Sequence, residues 1–133
     1  MNSTNYFDVL IEVAEDCKAS SGTIPPIRAG RKSVASYEHE MVSAQPYKFT
    51  SDDVFFAIHA QRNAIPNSKL EKERELYFSK GRPCFRASPL TKKYGWGVHS
   101  NYEGKVALYG VESKEYKKLL KDSNVEIKTC YAL

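Results

Sequence analysis

Hydrophobic and polar positions change period several times along this chain, and the changes mark its elements. Residues 5–14 place Tyr6, Val9, Ile11 and Val13 in partial alternation, with β-branched residues in the second half, which predicts a strand. Residues 15–31 lose all periodicity, and Gly22, Pro25, Pro26 and Gly30 punctuate them as a long ordered loop. Spacing then becomes helical. Ser33 caps a helix in which Val34, Tyr37, Met41 and Ala44 share a face, and Pro46 ends it. Thr50 and Asp53 form a capping box for a second helix, Ser51–Arg62, which buries Val54, Phe55, Ile58 and Ala57. A third helical segment, residues 67–80, follows Pro66 with Leu70, Leu76, Tyr77 and Phe78 as its apolar positions.

After Gly81 the elements shorten. Residues 84–87 read as extended. Ser88 caps one helical turn with Pro89 at its first position, and Gly95 is placed to end it in the left-handed conformation. Residues 96–100 and 105–109 form a hairpin around a turn that closes on Gly104. Ser113 caps a last helix with Tyr116, Leu119 and Leu120 inward. Residues 125–133 then alternate Val125, Ile127, Thr129 and Tyr131, the clearest strand pattern in the chain. This order predicts an α+β fold: an antiparallel or mixed sheet of about four strands, joining both ends of the chain, with helices packed on one face.

The chain's 133 residues suit one domain, residues 1–133, and 41% apolar with 12% aromatic content is enough for one core and excludes a disordered chain. No apolar run approaches the roughly 18 residues of a membrane span, and no basic, then apolar, leader opens the chain. Three widely spaced cysteines, an odd number, make no disulfide framework. The expectation is a cytoplasmic protein with no membrane partner.

Charge changes the picture because it is uneven. The chain carries a formal +4, and its excess sits in two Pro- and Gly-bearing stretches. One holds Arg28, Arg31 and Lys32; the other holds Lys80, Arg82, Arg86, Lys92 and Lys93; neither contains an acid. Loops of this kind commonly carry binding residues. The densest candidate is Arg86, Ser88, Lys92, Lys93, Tyr94, Trp96 and His99. A helical start at Ser88 would turn backbone N–H groups and a hydroxyl toward an anion, with the Arg86 fork two residues earlier. Arg31 and Lys32, ahead of the Ser33 helix, are the second candidate, and the expected site lies where the two stretches meet in space. Each residue also has a plain structural reading: Ser88 as a helix cap, Trp96 as a core anchor, the lysines as solvated charges.

The remaining chemistry is sparse. His39, His59 and His99 fall in no metal-binding spacing, and no cofactor motif occurs, so neither a metal nor a cofactor is expected. His99 is the one catalytic candidate because it shares a strand with Trp96. Cys84 stands between Arg82 and Arg86, which could activate its thiol, or it is simply a small buried residue.

The segments NYFDVLIEVAEDC, IPP, GRKSVASYEHEM, SDDVFFAIHAQR, CFRASPLTKKYGWGVHS and KVALY together resemble a family of small bacterial proteins known as a domain of unknown function. The resemblance spans nearly the whole chain. It implies a single-domain cytosolic protein and carries no activity with it. From the residues themselves, the expected function is binding of an anionic small molecule or nucleotide through the basic loops. The alternatives are a nucleic-acid binder, a protein-interaction module without catalysis, and an enzyme using His99 and Arg86.

Overall fold

The computed structural model describes residues 2–131. Its centre is the expected hairpin. Strands β2 (Trp96–Ser100) and β3 (Val106–Gly110) pair antiparallel, with Trp96 opposite Gly110 and Ser100 opposite Val106. Gly104 closes the turn at φ 80°, a conformation that other residues adopt only under strain. β1 (Val9–Ile11) pairs antiparallel with the free side of β2, and β4 (Glu126–Lys128) pairs parallel with β1. The sheet is therefore mixed, in the order β3-β2-β1-β4, and the two ends of the chain meet in it.

β1 is shorter than the alternation suggests, for identifiable reasons. Asp8 sits at φ 52°, outside the β region, just before Val9. Beyond Ile11, Glu12 still donates to the Lys128 carbonyl, but Val13 N–H turns to the Tyr116 hydroxyl and Ala14 N–H to the Thr91 carbonyl. β4 likewise ends at Lys128, because the Thr129 carbonyl accepts from Arg86 Nε and Tyr131 N–H donates to the Arg86 carbonyl. Residues 132 and 133 of the expected last strand lie outside the described residues.

The capping predictions hold atom by atom. Ser33 Oγ accepts from Ser36 N–H at the start of α1 (Val34–Ala44), and Thr50 and Asp53 cap α2 (Ser51–Arg62) reciprocally. A 3₁₀ turn, Asn67–Lys69, leads into α3 (Leu70–Tyr77). The stretch expected to be extended is instead a 3₁₀ turn, Phe85–Ala87, closed by Ala87 N–H to the Cys84 carbonyl and Ser88 N–H to the Phe85 carbonyl. That turn drives Phe85 into the core. It feeds α4 (Pro89–Lys92), which Ser88 caps, and Gly95 ends the segment at φ 75°. Ser113 caps α5 (Lys114–Leu120).

The core forms on one face of the sheet. Val9, Ile11, Val98 and Val106 pack against Ala35 and Val42 of α1, Val54 and Ile58 of α2, and Phe85 and Leu90. Each such side chain, once buried, contributes about 1.5–3 kcal/mol relative to exposure. Phe56 is also buried, beneath Tyr77 and Arg74, because α3 packs on the far side of α2. Phe55, expected inside, is half-buried against Phe85. Across the sheet, Tyr116 of α5 lies against Leu10 and the bare backbone of Gly97. Leu120, expected inward, is exposed, and so is Leu76. Among the described residues no helix is long and apolar enough to cross a membrane.

Candidate functional site

The last turn of α2 places His59, Arg62 and Asn63 at spacings of three and four residues, so they rise on one side of the helix. The chain then returns through α3 and brings Tyr77 and Arg82 against that side. Together they enclose a hollow of about 330 Å³. Its floor is apolar, formed by Val34, Phe55 and Ile58, and no acidic residue lines it.

The polar rim is held in place by its own bonds. Arg82 Nε donates to the Tyr77 carbonyl at 2.7 Å, and its guanidinium lies 4.1 Å from the centre of the Tyr77 ring. The His59 ring packs on the same tyrosine at 4.5 Å. Asn63 Nδ2 donates to the His59 carbonyl at 2.8 Å and lies 3.3 Å from His59 Nδ1. An amide nitrogen only donates, so Nδ1 is the acceptor in this contact. Burial raises the Tyr77 phenol above its ordinary pKa against the opposing charge of Arg82, so the ring stays neutral. Among the described residues neither Arg62 nor Arg82 enters an ion pair. Both guanidinium groups keep donors for a ligand.

The residues singled out from sequence are distributed over several places. Of the residues grouped with Arg86, Tyr94 alone lines the hollow of about 280 Å³ at Arg28, Arg31 and Lys32, and none of the bases of the second stretch does. Arg28 and Arg31 pair across a tight turn in which Ala29 and Gly30 both take positive φ, and Lys32 Nζ is 2.7 Å from Glu40 Oε2. Lys92 and Lys93 line a different cleft, of about 490 Å³, facing Glu12, Glu15 and Asp16 beside Cys130. Burial raises the Cys130 thiol, which donates to Thr91 Oγ1 at 2.9 Å.

Ser88 turns inward, not outward as an anion site needs. Its hydroxyl is buried, caps Leu90 N–H and donates to Glu38. Arg86 is committed to the C-terminal segment, through Thr129 and the face of the Tyr131 ring. Cys84, beside it, is buried with Tyr6 Oη at 3.3 Å. Trp96 is anchored by its indole N–H to the Thr23 carbonyl at 2.8 Å, with the His39 ring 5.1 Å away. His99 lies on the opposite sheet face from Trp96's neighbour Val98, and its Nδ1 is 2.8 Å from Tyr47 Oη. Neither His99 nor Arg86 lines the hollows at Arg31, Arg62 or Lys92.

The residues that sequence reasoning passed over are therefore His59, Arg62, Asn63 and Tyr77. The three- and four-residue spacing of His59, Arg62 and Asn63 is the available signal, Tyr77 comes from the next helix, and Arg82 belongs to the basic stretch 80–93. What the sequence did not display is the turn after α3 that closes the hollow. Among the described residues no cluster of three or more His, Cys, Asp or Glu side chains could hold a metal ion.

A family model described as a family of unknown function, DUF6157, matches residues 1–132, and the chain belongs to that family. This agrees with the resemblance drawn from the segments above. No curated protein and no solved structure matches the chain.

Proposed function

We propose that this member of a family without an assigned activity binds a small anionic ligand, a phosphate ester or nucleotide, in the hollow formed by α2 and the Tyr77–Arg82 turn. The observation that carries the reading is that Arg62 and Arg82, two guanidinium groups with no carboxylate partner among the described residues, line one hollow with no acidic residue among its described lining. Planar forks of this kind suit phosphate and carboxylate oxygens bidentately. The apolar floor and the His59 and Tyr77 rings supply surface for a planar moiety, and the volume falls at the lower end of small-ligand sites. The setting is a cytoplasmic one: Cys17, Cys84 and Cys130 are free thiols, as a reducing compartment keeps them.

The test is a thermal-shift screen of the purified protein against inorganic phosphate, nucleoside monophosphates, phosphosugars and dicarboxylates, at low and moderate salt. A ligand present at a hundred times its Kd adds about 2.7 kcal/mol of stability. The expected result is a shift that Arg62→Ala removes without lowering the ligand-free melting temperature. A flat screen, or a shift that Arg62→Ala leaves intact, overturns the reading.

A further inference from the structure

Three hollows adjoin along one side of the helical layer. The hollow at Arg31 and Tyr94 shares Lys32 with a hollow of about 360 Å³ between α1 and α2. The second shares Ile58 with the hollow at Arg62 and Arg82. Each is lined by one half-buried tyrosine, Tyr94, Tyr37 or Tyr77, and by at least one base. The lining bases number five arginines and lysines, and the single lining acid, Glu40, is paired to Lys32. Their balance of +4 equals the formal charge of the whole chain, so the rest of the molecule is neutral in sum. The hollows thus carry a local excess of four positive charges, although Lys92 and Lys93 lie in a different cleft.

We infer that the run of hollows is a track for a short single-stranded nucleic acid, an inference that rests on the anion-binding reading of the Arg62–Arg82 hollow and extends it. Repetition is the argument. A single phosphate ester needs one basic hollow, whereas a strand needs phosphate contacts and ring platforms in alternation. Base stacking on aromatic or guanidinium planes is tolerant of sequence because every base has a π-face. The Arg82 guanidinium, 4.1 Å from the centre of the Tyr77 ring, offers such a group. Rings recessed in concave hollows reach splayed bases but not bases stacked inside a duplex. Among the described residues no long helix projects its basic face for insertion into a major groove, since α1 and α2 both pack on the sheet.

The test is fluorescence anisotropy with labelled oligo(dT) and oligo(rU) of increasing length, set against a labelled mononucleotide and a duplex of the same length. Arg31→Glu and Arg62→Glu, both exposed positions at opposite ends of the track, are the variants. Affinity is expected to rise with length beyond the mononucleotide, and each variant is expected to weaken the oligomer. Each should also flatten the dependence of log K on log salt by about 0.7, the value of one lost single-strand phosphate contact. If the mononucleotide binds through Arg62 while longer strands gain nothing and Arg31→Glu has no effect, the track is overturned and the single-hollow reading stands. If neither mononucleotide nor oligomer binds, both fall. A duplex bound as tightly as the single strand overturns the stacking argument.

Discussion

Ser88 Oγ donates a 2.8 Å hydrogen bond to Glu38 Oε1, and both side chains are buried. The contact joins the middle of α1 to the cap of α4, so one hydroxyl serves a helix terminus and a carboxyl group taken out of water. Burial pushes Glu38 up to about 7, and the Ser88 bond works against that rise. Below an ordinary carboxyl value of 4.5 the group is protonated in both folded and unfolded chains. Between 4.5 and about 7 the unfolded chain ionises while the folded one holds its proton, so stability falls as pH rises through that window. The loss is on the order of 3 kcal/mol at about 1.4 kcal/mol per pH unit. Urea denaturation across the window should show this slope, and Glu38→Gln should abolish it and exceed the wild type in stability at higher pH. Equal slopes in the two proteins would sink the assignment.

Ser88→Ala tests the other side of the same contact. It leaves Leu90 N–H uncapped and removes a donor from the buried carboxyl. The expected cost is about 1–3 kcal/mol at neutral pH. The cost should shrink in a Glu38→Gln background, because the two residues are in contact and their effects are coupled. Additive losses would show that the cap alone matters.

Arg86→Ala should loosen the C-terminal segment. Arg86 Nε donates to the Thr129 carbonyl at 2.7 Å, and the guanidinium covers the Tyr131 ring at 4.3 Å. Tyr131 in turn lies beside the buried Cys84 thiol. Losing a charged donor and a cation–π contact should cost about 1.5–3 kcal/mol. Labelling of Cys84 by a thiol reagent, followed peptide by peptide to separate it from Cys17 and Cys130, should accelerate. Unchanged stability together with unchanged labelling would show that Arg86 does not hold this segment.

Much of this fold was legible because its signals are local. The caps at Ser33, Thr50, Ser88 and Ser113 and the glycines at 95 and 104 act within a few residues of themselves, and all appear where expected. The extents of β1 and β4 were not legible, because distant partners decide them: Tyr116 and Thr91 take the backbone donors of Val13 and Ala14, and Arg86 takes Thr129. The same division governs the site. Charge density along the chain pointed to Arg86 and Ser88, but Glu38 and Thr129, far away in sequence, had claims on them. Arg62 and Arg82 form no ion pair among the described residues, and Arg82 spends Nε on a local partner, the Tyr77 carbonyl five residues away.

Gly97→Ala tests how closely α5 is fitted to the sheet. A Cβ at Gly97 would collide with the Tyr116 ring, whose hydroxyl accepts from Val13 N–H at 2.9 Å. Gly97 is the second residue of β2, with Tyr109 opposite it, so the backbone cannot retreat without disturbing the ladder. Overpacking of this kind costs about 1–3 kcal/mol. Tyr116→Ala should cost stability by itself, yet the double variant should lose less than the two single losses combined. Strict additivity would show that the ring moves aside freely.

Tyr47 provides the last test, because the fold holds it in a costly conformation. It sits at φ 59°, where a non-glycine residue is uncommon, and its N–H is bound to the Val106 carbonyl at 2.9 Å. Its hydroxyl lies 2.8 Å from both His99 Nδ1 and Tyr109 Oη. Burial raises the Tyr47 phenol, which keeps it protonated, and burial lowers His99 below 6.5 against the pull of Asp8 and Asp122. A neutral His99 with its proton on Nε2 accepts from Tyr47, and in that arrangement Tyr109 donates to Tyr47. For a base with a lowered folded value, this contribution to stability is present above 6.5 and is lost as pH falls through the folded value. The sign is opposite to that of Glu38, so the two groups penalise opposite directions of pH change. Tyr47→Phe removes the donor that favours the neutral ring, at a cost of about 1 kcal/mol. NMR titration of the His99 imidazole should give a midpoint below 6.5 in the wild type and a higher one in Tyr47→Phe. A wild-type midpoint at or above the ordinary value would mean that the ring is solvated and that the hydroxyl network does not hold it.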